Sequence, residues 1–457
     1  MNKKFLIHLI SSVFSTVFIL FALSSCEKDS PTMLLTVDDM YADDMLADVH
    51  YNIIEENVYT VEEMANLLYG PEGEDPDIAD IRRQFIENSN QPNDDYDKVF
   101  STEFKIYKYE YYSKDQLGYS IKLSAFMSVG AWGLGHFFTD QDNLYLICPY
   151  THTLESECAT KDNGGYEYMF FMCRDNMFIM PDGQGFGSNA GNVQPYVDHN
   201  TQAQQIYDAM KAGYNLYRDK GGLMEKNWKL RVIGASQGGG DAMAVHKLLD
   251  TQYETHSVHG KEYTMLAGDW WNFDYSYVCC GPYCPEATMK KYTEWGKVTY
   301  PCVIPLVIKS MLACNRELAQ KYDETDFYSG LWNENKEDFD RIYRDKTKNT
   351  DDLNSYICKK LGVKPPEVPL KTMLSDAMNN PKSQIYKDLI ACLKKQDLTT
   401  GWTPKTRTYV YFCASDEVVP YTNSYRLMEL FGDNCKAEHS EWESHVGVCR
   451  QFMFKSW

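Results

Sequence analysis

The spacing of apolar and polar residues changes character along this chain. Phe5 to Leu23 is almost unbroken apolar sequence, preceded by Lys3 and Lys4. Residues 27 to 98 are polar and acidic, and their short apolar stretches predict helices. Thr36-Val-Asp-Asp39 and Thr60-Val-Glu-Glu63 each fit a capping box, in which a Thr hydroxyl and an acidic side chain three residues on satisfy the open donors of a helix start. One such helix stops at Gly70-Pro71, a second is predicted over Asp77 to Ile86, and Asn88 to Asp97 reads as a polar linker. From residue 99 the period alternates. Phe104 to Tyr112 and Tyr119 to Val129 predict a hairpin. Leu144 to Cys148, Met177 to Met180, Leu230 to Ile233 and Tyr263 to Ala267 predict further strands, with helices over Thr201 to Ala212 and Asp241 to Leu249. Strands separated by helices in this way predict an α/β fold, a largely parallel sheet covered on both faces. Residues 285 to 400 break the rhythm with helical, polar sequence. Thr408 to Cys413, Tyr421 to Phe431 and Cys435 to His439 then resume it as strand, helix and strand. About 115 residues are thus inserted between two strands of one sheet.

Composition sharpens the picture. Aromatic residues make up 14% of the 457 positions, which excludes wholesale disorder. The net charge of −20 excludes a phosphate backbone as the natural partner, so no nucleic acid is expected. The charge is concentrated. Glu27 to Lys98 holds 20 Asp and Glu against 4 Lys and Arg, a net of −16, so the acidic segment at 26–98 is distinct from the domain at 99–457. As a spacer it would lift that domain off a surface; as a decoration it would pack on it.

The chemistry lies on a predicted strand-turn-helix. Leu230-Arg-Val-Ile233 runs into Gly234-Ala-Ser-Gln-Gly238, the G-x-S-x-G pattern of a nucleophile elbow, followed by Gly239-Gly240 and an amphipathic stretch. Small residues let the backbone turn sharply and present Ser236 above the start of a helix. A serine hydroxyl is a weak nucleophile and needs a base and an orienting acid. Asp416 follows the Tyr409 to Cys413 strand and His445 follows the last one, so both come from loops at the carboxyl ends of neighbouring strands. Glu417 and His439 compete for the two roles, Glu417 one step too far along its loop and His439 within the predicted strand.

These motifs resemble the α/β-hydrolase fold, and within it the secretory lipase and esterase group. Pro181-Asp182-x-x-Gly185, the Tyr207 to Ala212 helix, the Ser-Gln-Gly-Gly elbow, Gly401-Trp402-x-Pro404 and Asp416-Glu-Val-Val-Pro420 carry the likeness over residues 100 to 450. The resemblance implies a Ser236–His445–Asp416 triad acting on ester bonds, with no metal and no organic cofactor. It makes the 285–400 insertion a helical cap over Ser236. It also implies an oxyanion hole, one donor being the backbone N–H of Gln237. The other belongs to the loop after Leu144 to Cys148. That loop reads Tyr150-Thr151-His152-Thr153 where relatives carry glycines, so Thr153 or His152 is the expected donor. Gly-x-Ser-Gln-Gly-Gly-Gly also resembles acetyl-xylan esterases and cephalosporin deacetylases. Their Arg-Gly-Gln turn is Asp182-Gly183-Gln184 here, and their His-Glu is His445-Val446. A carbohydrate acetyl esterase and a catalytically inactive, glycan-binding lipoprotein are the alternatives to a small-molecule or glycan esterase.

Leu23-Ser-Ser-Cys26 after the apolar run resembles a bacterial lipoprotein signal, with residues 1–25 removed and Cys26 lipidated. Nineteen apolar residues reach about 28 Å as a helix, so a transmembrane anchor is the other reading. Either way the expectation is an exported protein held at a membrane, on the outer membrane and facing periplasm or exterior. Thirteen cysteines remain besides Cys26. Cys279, Cys280 and Cys284 cluster, as do Cys435 and Cys449. Export permits disulfides, and Cys280-x-x-x-Cys284 lacks the second pair a structural zinc site needs, so these read as bridges or buried thiols.

Overall fold

The computed structural model describes residues 49–70, 76–90, 103–132, 137–138, 141–161, 176–258, 260–441 and 444–453. The expected signal segment, Cys26, the Thr36 capping box and most of the Asn88 to Asp97 linker lie outside them. No helix among the described residues is long and apolar enough to cross a membrane.

The central sheet contains β1 (Tyr51–Thr60), β2 (Glu103–Lys114), β3 (Ser120–Trp132), β4 (Gln141–Cys148), β5 (Asn176–Pro181), β6 (Met224–Ala235), β7 (Phe273–Cys279), β8 (Arg407–Phe412) and β9 (Cys435–His439). They lie in the order β1-β2-β3-β5-β4-β6-β7-β8-β9, with Phe137–Phe138 paired on β3. Pairing is antiparallel from β1 to β5 and parallel from β5 to β9. Parallel strands need crossovers. These are supplied by α3 (His199–Asp219) and α4 (Gln237–Thr251), after two N-terminal helices, α1 (Val61–Tyr69) and α2 (Pro76–Asn90). α3 packs on β2 and α4; α4 packs on β6 and β7. The parallel strands read as continuous apolar runs because both faces are covered, as Val232, Ile233, Val278 and Val410 show by their full burial. Between the sheet and α3 sits an aromatic cluster, where the Trp271 indole donates to the Tyr207 hydroxyl at 2.7 Å and packs edge-on against Tyr214.

Two expectations need correction. Residues 51–60 are a strand, not part of a helical segment. β1 extends the sheet alongside β2, from Tyr51 opposite Tyr111 to Thr60 opposite Glu103. Its Tyr, Ile, Val and Thr residues suit a half-covered pleat better than a helix. The predicted capping box is present at its end: Thr60 accepts from the Glu63 N–H while the Glu63 carboxylate accepts from the Thr60 N–H at 2.8 Å, and α1 stops at Gly70. Residues 51–90 are therefore built into the domain. The second correction concerns Tyr263 to Ala267. Lys261–Leu266 pairs only with Tyr253–Val258, as a separate hairpin, and the strand that joins the sheet is β7.

The insertion contains α5 (Pro285–Trp295), α6 (Val303–Cys314), α7 (Lys336–Asp345), α8 (Thr350–Lys360), α9 (Gln384–Lys394) and shorter turns, clipped by a pairing of Lys297–Val298 with Val368–Pro369. It buries its own apolar centre, with Phe327, Trp332, Phe339, Leu353, Ile357 and Met373 almost fully covered, and Trp332 stacks on Phe339 at 4.1 Å. The chain then returns through β8, α10 (Thr422–Phe431), β9 and α11 (His445–Met453).

Candidate active site

β6 ends at Ala235, and Ser236 takes φ 55° and ψ −125° before α4 begins at Gln237. This is a costly conformation for a residue with a side chain, on the order of 1–3 kcal/mol. Its surroundings hold it there. The Ser236 N–H donates to the Cys279 carbonyl of β7 at 2.8 Å, and its own carbonyl accepts from Gly239 N–H at 2.9 Å. A Cβ at Gly234 would lie 2.0 Å from the Gly238 carbonyl, and one at Gly238 would lie 2.2 Å from the Cys148 carbonyl. The sequence pattern thus has a steric reason: strand, turn and helix approach more closely than any side chain permits.

Two other loops converge on Ser236. His445 opens α11, with Nε2 2.8 Å from Ser236 Oγ and Nδ1 2.8 Å from Asp416 Oδ2. The other Asp416 oxygen accepts from the Val418 and Val419 N–H groups at 2.9 and 2.7 Å, which fixes the carboxylate toward the imidazole. All three predicted residues are therefore brought together, with His445 and Asp416 buried. Burial, the largest single influence, disfavours charge on His445, but the Asp416 carboxylate together with Cys449 and Cys280 outweighs it and holds the imidazole well above the ordinary histidine range. The competitors are placed elsewhere. Glu417 accepts from the His445 backbone N–H at 3.0 Å and so steadies the start of α11. His439 is exposed on β9 and accepts from the Ala414 N–H at 3.3 Å.

Gln237 sits at the N-terminus of α4, its side chain pinned by donation to Gln202 at 3.0 Å and Asp241 at 2.8 Å. Its backbone N–H follows Ser236 directly in the chain, at the positive end of the helix dipole. The expectation for the second donor is not met. Thr153 directs its N–H to Glu157 at 3.4 Å and its hydroxyl to the Lys348 carbonyl at 2.8 Å, tying the loop to the insertion. His152 is packed edge-on between Tyr150 and Phe186, and burial pushes it down to about 4, so it is a neutral packing group. Neither lines the cavity at Ser236. Tyr150 and Thr151 do, and the Thr151 hydroxyl bonds the Tyr196 hydroxyl at 2.8 Å. β4 ends at Cys148, so the residues lining the cavity come two and three positions later.

That cavity has a volume of about 420 Å³. Ser236, Gln237 and His445 form its floor. Tyr292, Val303 and Ile304 of the insertion close one side, and Val418, Val446 and Met453 another. The insertion is thus a cap over Ser236. Glu157, Asp351 and Arg450 add a charged margin.

No sequence-family model and no curated protein matches the chain. Solved structures do. An esterase, LipA from Xanthomonas oryzae, described as degrading the rice cell wall, is similar with a TM-score of 0.63 at 14% identity, covering 88% of this chain and 94% of its own. Candida antarctica lipase A in its closed state is similar with a TM-score of 0.52 at 11% identity, covering 92% of this chain and 82% of its own. The chain has the α/β-hydrolase fold. Within that fold β1 is an added edge strand, and the cap interrupts the sheet between β7 and β8.

The twelve described cysteines are all free thiols, so Cys435 and Cys449 are not bridged. Cys284 accepts from the Arg426 guanidinium at 2.9 Å, away from Cys280. Cys449 lies one helical turn beyond His445, its Sγ 3.9 Å from Nε2.

Proposed function

We propose that this protein is a serine-dependent carboxylic ester hydrolase working through an acyl-enzyme. The observation that supports this best is the pair of 2.8 Å contacts linking Ser236, His445 and Asp416 at the floor of the cavity. In this reading the Ser236 hydroxyl donates to His445 Nε2, and His445 Nδ1–H donates to Asp416. As Ser236 attacks the ester carbonyl, His445 takes its proton, and the imidazolium is stabilised by the buried carboxylate. The Gln237 N–H, with a donor from the Tyr150–Thr151 loop, receives the developing oxyanion; each such donor is worth about 3–4 kcal/mol. His445 then gives its proton to the leaving alcohol. Water, activated by the same base, releases the acid. No step calls on a metal or an organic cofactor.

The apolar walls of the cavity suit the acyl part of a small-molecule or glycan ester. LipA is described as acting on the rice cell wall, and an ester carried by a glycan is the corresponding proposal here. An acetyl group would leave much of the 420 Å³ unfilled, which argues against the dedicated deacetylase reading. The test is turnover of p-nitrophenyl esters from acetate to palmitate. Wild type is expected to hydrolyse them, with its maximum beyond acetate. Ser236→Ala should lose on the order of 10³-fold or more, as should wild type after a serine-directed fluorophosphonate. A folded wild type without turnover would favour a glycan-binding lipoprotein, and a profile confined to acetate would favour deacetylation. We also propose that lipid on Cys26 holds the exported enzyme at a membrane.

A further inference from the structure

Sulfur is concentrated behind the proposed triad in a way that hydrolysis does not require. Cys280 follows β7, Cys413 follows β8 and Cys449 lies on α11, so three separate elements deliver thiols to one place. The Cys280 and Cys413 sulfurs and a carboxylate oxygen of Asp416 all lie within 4.8 Å of one another. The third thiol, Cys449, stands beside the triad, its Sγ 3.9 Å from His445 Nε2. Cys280 is held in this position by an unusual backbone. Its φ is 46°, which a side-chain-bearing residue adopts at a cost, and its N–H is fixed by the Tyr411 carbonyl at 3.2 Å.

The spacing has a chemical meaning. Zinc binds thiolate at about 2.3 Å and carboxylate at about 2.0–2.2 Å, almost always tetrahedrally, so two ligand atoms of one ion stand about 3.5–3.8 Å apart. A group of donors within 4.8 Å of each other reaches that spacing with side-chain adjustments of about 1 Å. Two or three sulfurs with one carboxylate select soft and borderline cations such as Zn²⁺ or Cd²⁺ over Mg²⁺ or Ca²⁺. Cys280, Cys413 and Asp416 are buried, while Cys449 lines the cavity and marks a path from solvent.

We propose that Cys280, Cys413 and Asp416, with Cys449 as fourth donor, bind a thiophilic divalent cation that switches the hydrolase off. Each bound thiol releases its proton to solvent as its metal–sulfur bond forms. One Asp416 oxygen accepts from two backbone N–H groups and the other is paired with His445, so a cation that takes this carboxylate draws on the contacts that orient the imidazole. Occupancy therefore withdraws the carboxylate from the imidazole and places positive charge where imidazolium would have to form. The regulatory half of this proposal rests on the ester-hydrolase reading; the binding half does not.

The experiment separates the two. The full chain is reduced with a phosphine, freed of metal, and titrated with Cd²⁺ while thiolate-to-cadmium absorption in the ultraviolet is followed. One equivalent should bind, with proton release, and Ser236→Ala should bind it as wild type does. Zn²⁺ should suppress p-nitrophenyl butyrate hydrolysis and a chelator should restore it. Cys413→Ser, which exchanges one buried atom, should keep its metal-free turnover and lose on the order of 100-fold or more in metal affinity, at least what removing an outer-shell partner of a ligand costs. Cys280→Ser and Cys413→Ala give the same readout should the first variant fold poorly. Absence of cadmium–thiolate absorption in the reduced chain overturns the proposal. So does equal binding by the cysteine variants, or an intact mass placing Cys280 or Cys413 in a disulfide. Cadmium binding without inhibition by Zn²⁺ overturns the switch. Loss of all turnover in metal-free wild type, with binding intact, would instead count against the hydrolase.

Discussion

His445 is set between opposing influences. Its burial is the largest single influence and disfavours the charged form, while Asp416, Cys449 and Cys280 together favour it more strongly, so the imidazole keeps its proton to a higher pH than an ordinary histidine. The proposed base must be neutral to accept the Ser236 proton. The ester-hydrolysis rate should therefore rise with pH through a limb lying above about pH 6.5, the unperturbed histidine value. Asp416→Asn removes the favouring charge and leaves the burial, so the same limb should move to lower pH while kcat falls about 10⁴-fold. A pH–rate profile of both proteins with chelator present checks this; a limb that stays in place in Asp416→Asn would mean that another group governs it. At this scale the sequence was legible wherever chemistry restricts residue type. Ser236, Asp416 and His445 stood out because a nucleophile, an acid and a base are expected in order after particular strands, and the fold brings the three side chains together. The loop after β4 was less legible, because a backbone donor can be carried by any side chain. His152 and Thr153 looked like chemistry and turned out to be packing and a tether to the cap.

Elements were legible where their period was clean. β2, β3, β4, β5, β8 and the helix after Ser236 appear close to their predicted bounds. β7 was missed because Phe273-Asp-Tyr-Ser-Tyr places polar groups inside a buried strand. The structure shows why they are tolerated: Ser276 is fully buried but bonded to His246 at 2.7 Å and to Thr408 at 2.8 Å. β1 was missed because its acidic side chains suggested a solvated helix, whereas Glu55 meets Lys108 on the neighbouring strand and Glu56 meets Lys220 at the end of α3. The joint between α4 and β8 depends on one carboxylate. Asp250 accepts from the Lys405 and Thr406 N–H groups at 2.7 and 3.0 Å, from the Thr406 hydroxyl at 2.8 Å, and faces His246 at 3.2 Å. Burial alone would raise its pKa, but these bonds, His246 foremost, hold it down to about 2. A depressed carboxylate stabilises the fold above its unfolded value, near 3.8, and that contribution fades as pH falls toward 2. Asp250→Asn should cost on the order of 3 kcal/mol in urea unfolding at pH 7, since it removes the negative charge facing His246 and the two backbone N–H groups and puts an NH2 where Oδ1 accepts from the Thr406 hydroxyl. The variant should also lose less stability than wild type between pH 4 and pH 2. Equal acid sensitivity would assign that limb to other groups.

For the molecule as a whole, the expectation of a tethered enzyme is separable from its chemistry. Cys26 precedes every described residue, and Ser236 belongs to a domain with its own core. Cys26→Ala should therefore abolish incorporation of labelled palmitate while leaving the specific activity of the purified protein unchanged; equal labelling of both proteins would remove the lipoprotein proposal. Crowding on a bilayer would raise the local concentration of such a chain, and an open β-sheet has two rims on which identical molecules can pair. Here both rims are blunted. β1 carries Glu55 and Glu56 and is irregular between Ile53 and Glu55, while β9 is a five-residue strand bearing Lys436 and Glu438, both exposed. The added strand thus shields the long, aromatic β2, whose Tyr107, Tyr109 and Tyr111 would otherwise border an unpaired ladder. Neither rim of the sheet therefore offers a flat, uncharged ladder on which a second copy of the chain could pair.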